Sequence, residues 1–173
     1  MFESQSLSSI RNHTARVLGY NIWKELPLIV GGRQYSLEHI EHQILRKMRE
    51  PRIHFAIVCA SIGCPRLRNE AYTAKRLQKQ LVDNTTDFFS RPQNFRVRGG
   101  TLYVNPILNW FAADFGSSQV QRFTYLQRYL PESGRAMAIR SSTQISYLKY
   151  DWNLNDQSTR QRQAVSRRSK RGG

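Results

Sequence analysis

Cysteine is scarce in this chain of 173 residues, which contains only Cys59 and Cys64. Two cysteines so close together could close only a small loop, so the sequence does not describe a disulfide scaffold. They also lack the paired spacing of a structural zinc site. In a reducing cytoplasm we expect both to be free thiols.

Long hydrophobic runs are also missing. No stretch approaches the roughly 20 apolar residues that a membrane helix needs. The opening MFESQSLSSIRNHTARVLGY lacks the cationic region and the apolar region of a secretory signal. The sequence therefore predicts a cytoplasmic protein without a transmembrane segment.

Motifs that hold cofactors are absent as well. The chain has no Gly-rich phosphate loop, no nucleophile elbow and no zincin helix. A metal site built from His42, His54, Cys59 and Cys64 would match no standard spacing. We therefore predict no cofactor and no metal site.

Acidic residues are few, since 12 Asp and Glu face 27 Lys and Arg and give a net charge of +15. The end of the chain, DQSTRQRQAVSRRSKRGG, is almost free of aliphatic residues, and we predict that residues 156–173 form a disordered basic tail. Such a tail either binds phosphates or simply keeps the protein soluble. Its cations are Arg160, Arg162, Arg167, Arg168, Lys170 and Arg171.

The rest of the chain has enough apolar residues for one core. Hydrophobic residues make up 39% of the sequence and aromatic residues 11%, and 173 residues is the size of one ordinary domain. Residues 1–155 are therefore predicted to form a single globular domain.

Two Gly-Gly pairs predict two β-hairpins. The first hairpin joins Leu28 to Val30 with Arg33 to Tyr35, and the second lies in NFRVRGGTLYVN. A last short strand is predicted from Ile145 to Tyr150. Between these strands, capping and apolar spacing predict four helices: one capped by Ser36 and ending before Pro51, one capped by Thr73 and ending before Pro92, one from Pro106 to Gly116, and one opened by Ser117 or Ser118 and closed by Pro131.

The run RIHFAIVCA is continuously apolar and contains β-branched residues, which predicts a buried central strand. A regular strand would direct His54 and Cys59 to opposite faces. The segment SIGCPRLRNEAY then forms a loop at the end of that strand. The predicted fold is a mixed α and β (α+β) domain, with a small sheet of two β-hairpins and a central buried strand covered by about four helices.

The strongest candidate nucleophile is Cys64, because it lies in this loop with Arg66 and Arg68 close behind it. Cys59, inside the predicted strand, is the second choice and has the character of a core residue. His42 and His54 are the candidate bases. The carboxyl groups available to orient a base belong to Glu41, Glu70 and Asp151.

These residues predict a thiol-dependent hydrolase or transferase that uses a Cys-His pair. The alternative is a non-enzymatic interaction module that binds nucleic acid or an acidic protein through the tail and a basic surface. That surface would consist of Arg46, Lys47, Arg49, Arg52, Arg66 and Arg68. Ordinary solvated charges explain these cations nearly as well, so we favour the enzyme.

Several segments together resemble the domain of unknown function 547 family: YSLEHIEHQILRKMREPRIHFAIVCASIGCPRLRNEAYTAKRLQKQL, GGTLYVNPILNWFAADFG, TYLQRYL and YLKYDWNLN. The resemblance runs from about Tyr35 to Asn155. The family has no agreed activity, so the resemblance implies motif residues and no reaction. Those residues are Glu41, His42, His54, Cys59, Cys64, Pro65, Glu70, Tyr72, Asp114, Asp151 and Trp152.

The beginning of the chain departs from this family. The resemblance implies a further upstream helix of the form Trp-Ile-Asn-Ala-Tyr-Asn, which residues 1–8 do not supply. We expect either that the chain begins too late or that it is a shortened member. A missing upstream segment could have held a signal peptide, which would change the predicted localisation.

Overall fold

The computed structural model describes residues 21–155. The predicted basic tail lies outside the described residues, as do residues 1–20. The helical segments of the described part are α1 (Ile22–Glu25), a π-helix (His39–Leu45), α2 (Leu77–Ser90), α3 (Ile107–Trp110), α4 (Ala112–Phe115), α5 (Gln119–Leu126), α6 (Glu132–Ala138) and the 3-10 segments Arg46–Met48, Pro51–Phe55 and Gln127–Tyr129.

Both predicted hairpins are confirmed. Strand β1 (Leu28–Val30) pairs antiparallel with β2 (Arg33–Tyr35), and β3 (Phe95–Arg98) pairs antiparallel with β4 (Thr101–Val104). The Gly-Gly pairs turn both hairpins with positive φ angles at each glycine, as tight two-residue loops require. The predicted last strand is confirmed as β5 (Gln144–Tyr147), which runs parallel to β4.

The predicted mixed α+β class is confirmed, with two small sheets of two and three strands and about seven helices in residues 21–155. The count exceeds the predicted four because α1 and α6 were not predicted. In addition, the helix predicted from Pro106 to Gly116 is divided at Phe111 into α3 and α4. None of the helices in the described range is both long and apolar enough to cross a membrane.

The predicted central strand over RIHFAIVCA is wrong. Pro51–Phe55 is a 3-10 helix, whose first turn is capped by the Glu50 side chain accepting from the Arg52 amide. The Ile53 carbonyl then accepts from the amides of both Ala56 and Ile57. A short apolar run is buried equally well in a helical turn or a strand, so its composition did not distinguish the two. The middle strand of the three-stranded sheet is β4 instead.

The helix predicted after Ser36 is present, and the Ser36 hydroxyl accepts from the His39 amide as predicted. It is wound as a π-helix and then as a 3-10 turn, which changes the face that it buries. The buried side chain of the π-helix is Glu41. The apolar spacing predicts a buried face of Leu37, Ile40, Ile44, Leu45 and Met48, but Met48 is exposed. Single π-turns of this kind are found frequently at functional sites.

Thr73 does not cap α2, which is another correction. The helix begins at Leu77, and the Thr73 carbonyl only accepts from the Arg76 amide in the turn before it. The apolar spacing predicts a buried face of Leu77, Leu81, Val82, Phe88 and Phe89. Leu81, Phe88 and Phe89 are buried as predicted, whereas Leu77 and Val82 are exposed.

One hydrophobic core holds these elements together. It joins α2, β3, β4 and the short helices after β4 around a cluster of aromatic rings, which supplies most of the buried apolar area. Its largest fully buried apolar side chains are Phe55, Phe88, Phe89, Leu102, Leu126, Leu130 and Val104. The 3-10 turn carrying His54 therefore sits beside a rigid core through its neighbour Phe55.

Candidate functional site

The loop between the two cysteines is held against the C-terminal part of the described chain. The amides of Ile62 and Gly63 donate to the carbonyls of Asn153 and Asp151, each at 2.9 Å. From the other side, the buried Asn105 side chain donates to the Gly63 carbonyl at 3.2 Å. These bonds satisfy the backbone of an irregular loop and fix its position.

Tyr150 covers this loop. A Cβ atom on Gly63 would lie 2.9 Å from the Tyr150 ring, so only glycine allows the ring to lie so close to the backbone. The Tyr150 hydroxyl is 2.9 Å from the hydroxyl of the fully buried Ser61. The loop therefore brings two hydroxyl groups to the cysteines.

The two thiols are in direct contact. The Cys59 and Cys64 sulfur atoms are 2.9 Å apart and both cysteines are free. Cys59 Sγ also contacts the Ser61 hydroxyl at 3.3 Å and the Tyr150 hydroxyl at 3.6 Å. Cys59 is thus surrounded by three groups that can donate a hydrogen bond to its sulfur.

This arrangement favours the thiolate at Cys59. The hydrogen bond from Cys64 is the largest cause that lowers the pKa of Cys59 below its ordinary value, and Ser61 and Tyr150 add to it. Because Cys64 retains its proton to donate that bond, the pKa of Cys64 is raised, and its burial raises it further. Burial also raises the pKa of Tyr150, which therefore keeps its own proton.

An apolar cavity of about 340 Å³ opens beside the thiols. Its walls are mainly aromatic and aliphatic side chains, into which a few ionisable groups project. The lining residues are Trp23, Ile57, Val58, Pro65, Ile107, Trp110, Phe111 and Trp152, together with Glu41, His54, Cys59, Cys64 and Tyr150. The thiol pair, an imidazole and a carboxyl group therefore share one cavity.

His54 is held in this cavity by contacts on two sides. Its Nε2 lies 2.8 Å from Asp114 Oδ2, and its ring stacks on Phe111 with 3.9 Å between the ring centroids. Asp114 in turn accepts two hydrogen bonds from Arg46, at 2.7 and 2.8 Å. The Arg46 hydrogen bond is the largest cause that lowers the pKa of Asp114, so its carboxylate stays ionised beside His54.

Burial lowers the pKa of His54, although Asp114 opposes this effect. A neutral imidazole with its Nε2 proton donated to Asp114 presents Nδ1 as an acceptor. Within residues 21–155, no side chain or amide hydrogen-bonds to that nitrogen. A carboxylate thus fixes the orientation of the His54 ring.

Glu41 is a buried carboxyl group of a different kind. Burial raises its pKa, and the charges of Cys59 and Asp114 add to the rise, while His42 and Arg46 oppose it. Its carboxyl group makes no hydrogen bond or ion pair to another described residue. A carboxyl group with a raised pKa holds its proton to higher pH than an ordinary glutamate, a property that suits a proton donor.

Three of the predicted site residues do not line this cavity. His42 contacts the Arg46 guanidinium at 3.2 Å. Glu70 pairs with Arg68, Arg76 and Gln80, and the Asp151 carboxylate accepts from the amide and side chain of Asn153.

The local arguments that ranked Cys64 above Cys59 are not met by the structure. Arg66 pairs with Asp87 and Arg68 with Glu70, and α2 begins thirteen residues after Cys64. Cys59 is not in a strand, and it lines the same cavity as His54 rather than facing away from it. The prediction of opposite faces is therefore wrong, for the same reason as the strand itself.

Several residues of the site were not predicted from composition or spacing. Arg46 and Phe111 orient His54, and Ser61 and Tyr150 contact Cys59. Asp114 was implied only by the family resemblance, since 60 positions separate it from His54. Contacts over such separations leave no periodic signal in one sequence.

The six cations proposed as a basic surface are largely neutralised in the structure. Arg46 pairs with Asp114, Arg52 with Glu50, Arg66 with Asp87 and Arg68 with Glu70. In the described part of the chain, no three His, Cys, Asp or Glu side chains converge as a metal site would require.

Comparison with known families gives one match. Residues 6–89 match a family model described as "Protein of unknown function, DUF547". The match covers 84 of the 173 residues, a little less than half of the chain, and it confirms the resemblance in the part of the sequence that the two share. The match contains Glu41, His54 and both cysteines. No curated protein and no solved structure matches the chain.

Proposed function

We propose that this chain is a thiol-dependent hydrolase or transferase that acts on an apolar acyl group. The observation that carries the proposal is that Cys59, a carboxylate-oriented His54 and the carboxyl group of Glu41 line one apolar cavity, and that burial raises the pKa of Glu41. A nucleophile, a base with its orienting group and a proton donor are the parts that acyl transfer requires.

Cys59 is the proposed nucleophile in this reaction. The three hydrogen-bond donors around its sulfur favour the thiolate, which is the reactive form of a cysteine. The thiolate attacks the acyl carbon, a bond forms between sulfur and carbon, and the leaving group departs with the electron pair of its own bond. The product of this step is an acyl-thioester on Cys59.

His54 and Glu41 carry the protons. The carboxyl group of Glu41 gives its proton to the leaving group, and His54 Nδ1 removes a proton from the water or alcohol that attacks the thioester. That second attack releases the acyl product and restores the Cys59 thiolate. The proton on His54 then passes through solvent to the Glu41 carboxylate, so both groups return to their starting states. Asp114 stabilises the imidazolium that forms at His54, as the carboxylate of other nucleophile-base systems does.

The cavity walls support an apolar acyl group as the substrate. The side chains of Trp110, Phe111 and Trp152 line the same cavity as the thiols, and Ile57 and Val58 add aliphatic surface. Burial of an acyl chain against such walls contributes about 0.8 kcal/mol for each methylene group. Because four of the six proposed surface cations are ion-paired, no observation favours the interaction module over this proposal.

The test follows the covalent intermediate. The protein is mixed with p-nitrophenyl esters and acyl thioesters of increasing acyl length, and intact mass spectrometry detects the acyl adduct at early times. We expect an adduct on Cys59, none in Cys59→Ser, and formation of adduct in Cys64→Ser. His54→Gln should slow turnover by about a hundredfold, as removal of a general base does.

Glu70→Gln is the matched control, because Glu70 is a carboxyl group of the same motif that lies away from the cavity. It should form the adduct at the wild-type rate. An adduct on Cys64, an undiminished adduct in Cys59→Ser, or no adduct with any acyl length would contradict the proposal.

A further inference from the structure

The same loop contains a feature that acyl transfer does not use, which is a second thiol in contact with the first. One cysteine is sufficient for a thioester intermediate. Cys64 is nevertheless buried with its sulfur 2.9 Å from that of Cys59, and it also accepts from the Cys59 amide at 2.7 Å. A disulfide requires about 2.05 Å between sulfur atoms, so the pair has to close by only about 0.9 Å.

We infer that Cys59 and Cys64 form a hydroperoxide-reactive dithiol, in which Cys59 is oxidised first and Cys64 resolves it to a disulfide. This inference goes beyond the proposed acyl transfer and depends on a different pair of atoms. The geometry that supports it is the direct contact between the two sulfur atoms together with the position of Cys59 on the wall of an open cavity.

The first step forms a sulfenic acid. The Cys59 thiolate attacks the terminal O–H oxygen of the hydroperoxide and the O–O bond breaks. The departing alkoxide or hydroxide takes a proton from the solvent. Two electrons pass from sulfur to the peroxide. The hydroxyl groups of Ser61 and Tyr150 hold the thiolate in place for this attack.

The second step forms the disulfide. Cys64 loses its proton as its sulfur attacks Cys59 Sγ, the S–O bond of the sulfenic acid breaks, and the hydroxide takes that proton and leaves as water. In total, two thiols and one hydroperoxide give one disulfide, one alcohol or water, and one further water. A dithiol reductant reverses the oxidation.

The loop is built to allow this closure. Its backbone is held on one side by hydrogen bonds from Ile62 and Gly63 and on the other by the Asn105 side chain, and none of these bonds involves a sulfur atom. The oxidation can therefore occur without breaking the contacts that hold the loop to residues 150–155. Cys64 lines the same cavity but is the more buried of the two cysteines, so we expect it to react through Cys59 rather than directly.

The experiment treats the full chain with hydrogen peroxide and with cumene hydroperoxide, followed by intact mass spectrometry without reductant. We expect a loss of about 2 Da, for the two hydrogens removed, that dithiothreitol reverses. Peptide mapping should link Cys59 to Cys64. In Cys64→Ser the disulfide should be lost, and dimedone should trap a sulfenic acid on Cys59.

Cys59→Ser is the matched variant, and in it Cys64 should remain a thiol. A wild-type protein that resists a peroxide concentration sufficient to oxidise glutathione would overturn the inference, as would disulfides formed only between chains or a sulfenic acid on Cys64. Acyl-adduct formation without a disulfide contradicts this inference alone. A disulfide without acyl-adduct formation contradicts the proposed acyl transfer alone.

Discussion

Two glutamates of the same sequence motif end up in opposite environments. Glu70 lies among Arg68, Arg76 and Gln80, and hydrogen bonds from Arg68 lower its pKa to about 2. Glu41 lies in an apolar cavity, where burial raises its pKa. The comparison teaches that arginine pairing makes a carboxyl group structural, while the lack of pairing makes one available for proton transfer.

The largest effect is expected at Asp114, which is the ion-paired carboxylate that contacts His54. Asp114→Asn leaves Arg46 without its two charge-assisted hydrogen bonds and removes the carboxylate that orients His54. We expect the free energy of unfolding to fall by about 1–3 kcal/mol. Urea denaturation measures this change.

The matched control is Asp151→Asn, since the Asp151 carboxylate contacts only Asn153 nearby in the chain. Its effect should remain within about 0.5 kcal/mol. Equal losses in the two variants would show that Asp114 is no more than an ordinary surface carboxylate.

The next largest effect is the difference in stability between the variants Glu70→Gln and Glu41→Gln. Glu70→Gln should lower the thermal midpoint near neutral pH, because Arg68 and Arg76 lose a charged partner. Glu41→Gln should leave stability within about 1 kcal/mol or raise it, because an uncharged amide replaces a carboxyl group that burial disfavours when ionised. A larger loss in Glu41→Gln than in Glu70→Gln would contradict the comparison.

The stability that each carboxyl group contributes, measured as the difference between wild type and variant, should depend on pH with opposite sign for Glu70 and Glu41. The folded pKa of Glu70, about 2, lies below its ordinary value of 4.5, so its contribution to stability is present above pH 4.5 and is lost as the pH falls toward 2. The folded pKa of Glu41 lies above 4.5, so stability falls as the pH rises through 4.5 toward the folded value. Thermal unfolding across this range measures both slopes, and parallel profiles in the two variants would contradict the assignment.

A smaller effect is expected from Tyr150→Phe. This change removes one hydroxyl group beside Cys59 and one partner of Ser61 while keeping the ring that packs on Gly63. The pKa of Cys59 should rise, and its alkylation by iodoacetamide at neutral pH should slow. The cost in unfolding free energy should be about 1 kcal/mol, typical of one hydrogen bond. Faster alkylation would show that the hydroxyl group shields the thiol rather than favouring its ionised form.

The smallest effect is expected from His42→Ala. His42 contacts Arg46 and does not line the cavity, so the rate of Cys59 alkylation should not change. A clear decrease would make His42 the base, as the sequence allowed, in place of His54.

Much of the fold follows from local sequence features. Two glycine pairs predicted both hairpins. The apolar spacing of α2 correctly predicted that Leu81, Phe88 and Phe89 are buried, but it also placed the exposed Leu77 and Val82 on the buried face. The prediction of a strand over RIHFAIVCA is wrong because four consecutive residues of the 3-10 helix, 52–55, are buried. A continuous run of buried residues has no periodic pattern that distinguishes a helix from a strand.

The site was predicted less completely, for a reason that lies in the distances along the chain. The sequence supplied Glu41, His54, Cys59 and Cys64, all within one short stretch. Asp114 is 60 positions from His54, and Tyr150 is 91 positions from Cys59. Their contacts arise from tertiary packing. The same packing is the reason why we propose Cys59 rather than Cys64 as the nucleophile.

The most direct test of Cys59 as the nucleophile is the pH dependence of alkylation at each thiol, with mass spectrometry to distinguish Cys59 from Cys64. If Cys59 is the nucleophile, it should ionise first, below the ordinary thiol pKa of 9.0, and Cys64 should react only at higher pH. In Cys64→Ala, loss of the thiol donor should move the pKa of Cys59 upward. If Cys64 ionised first, or if both thiols titrated near 9.0, the assignment of Cys59 as the nucleophile would be wrong.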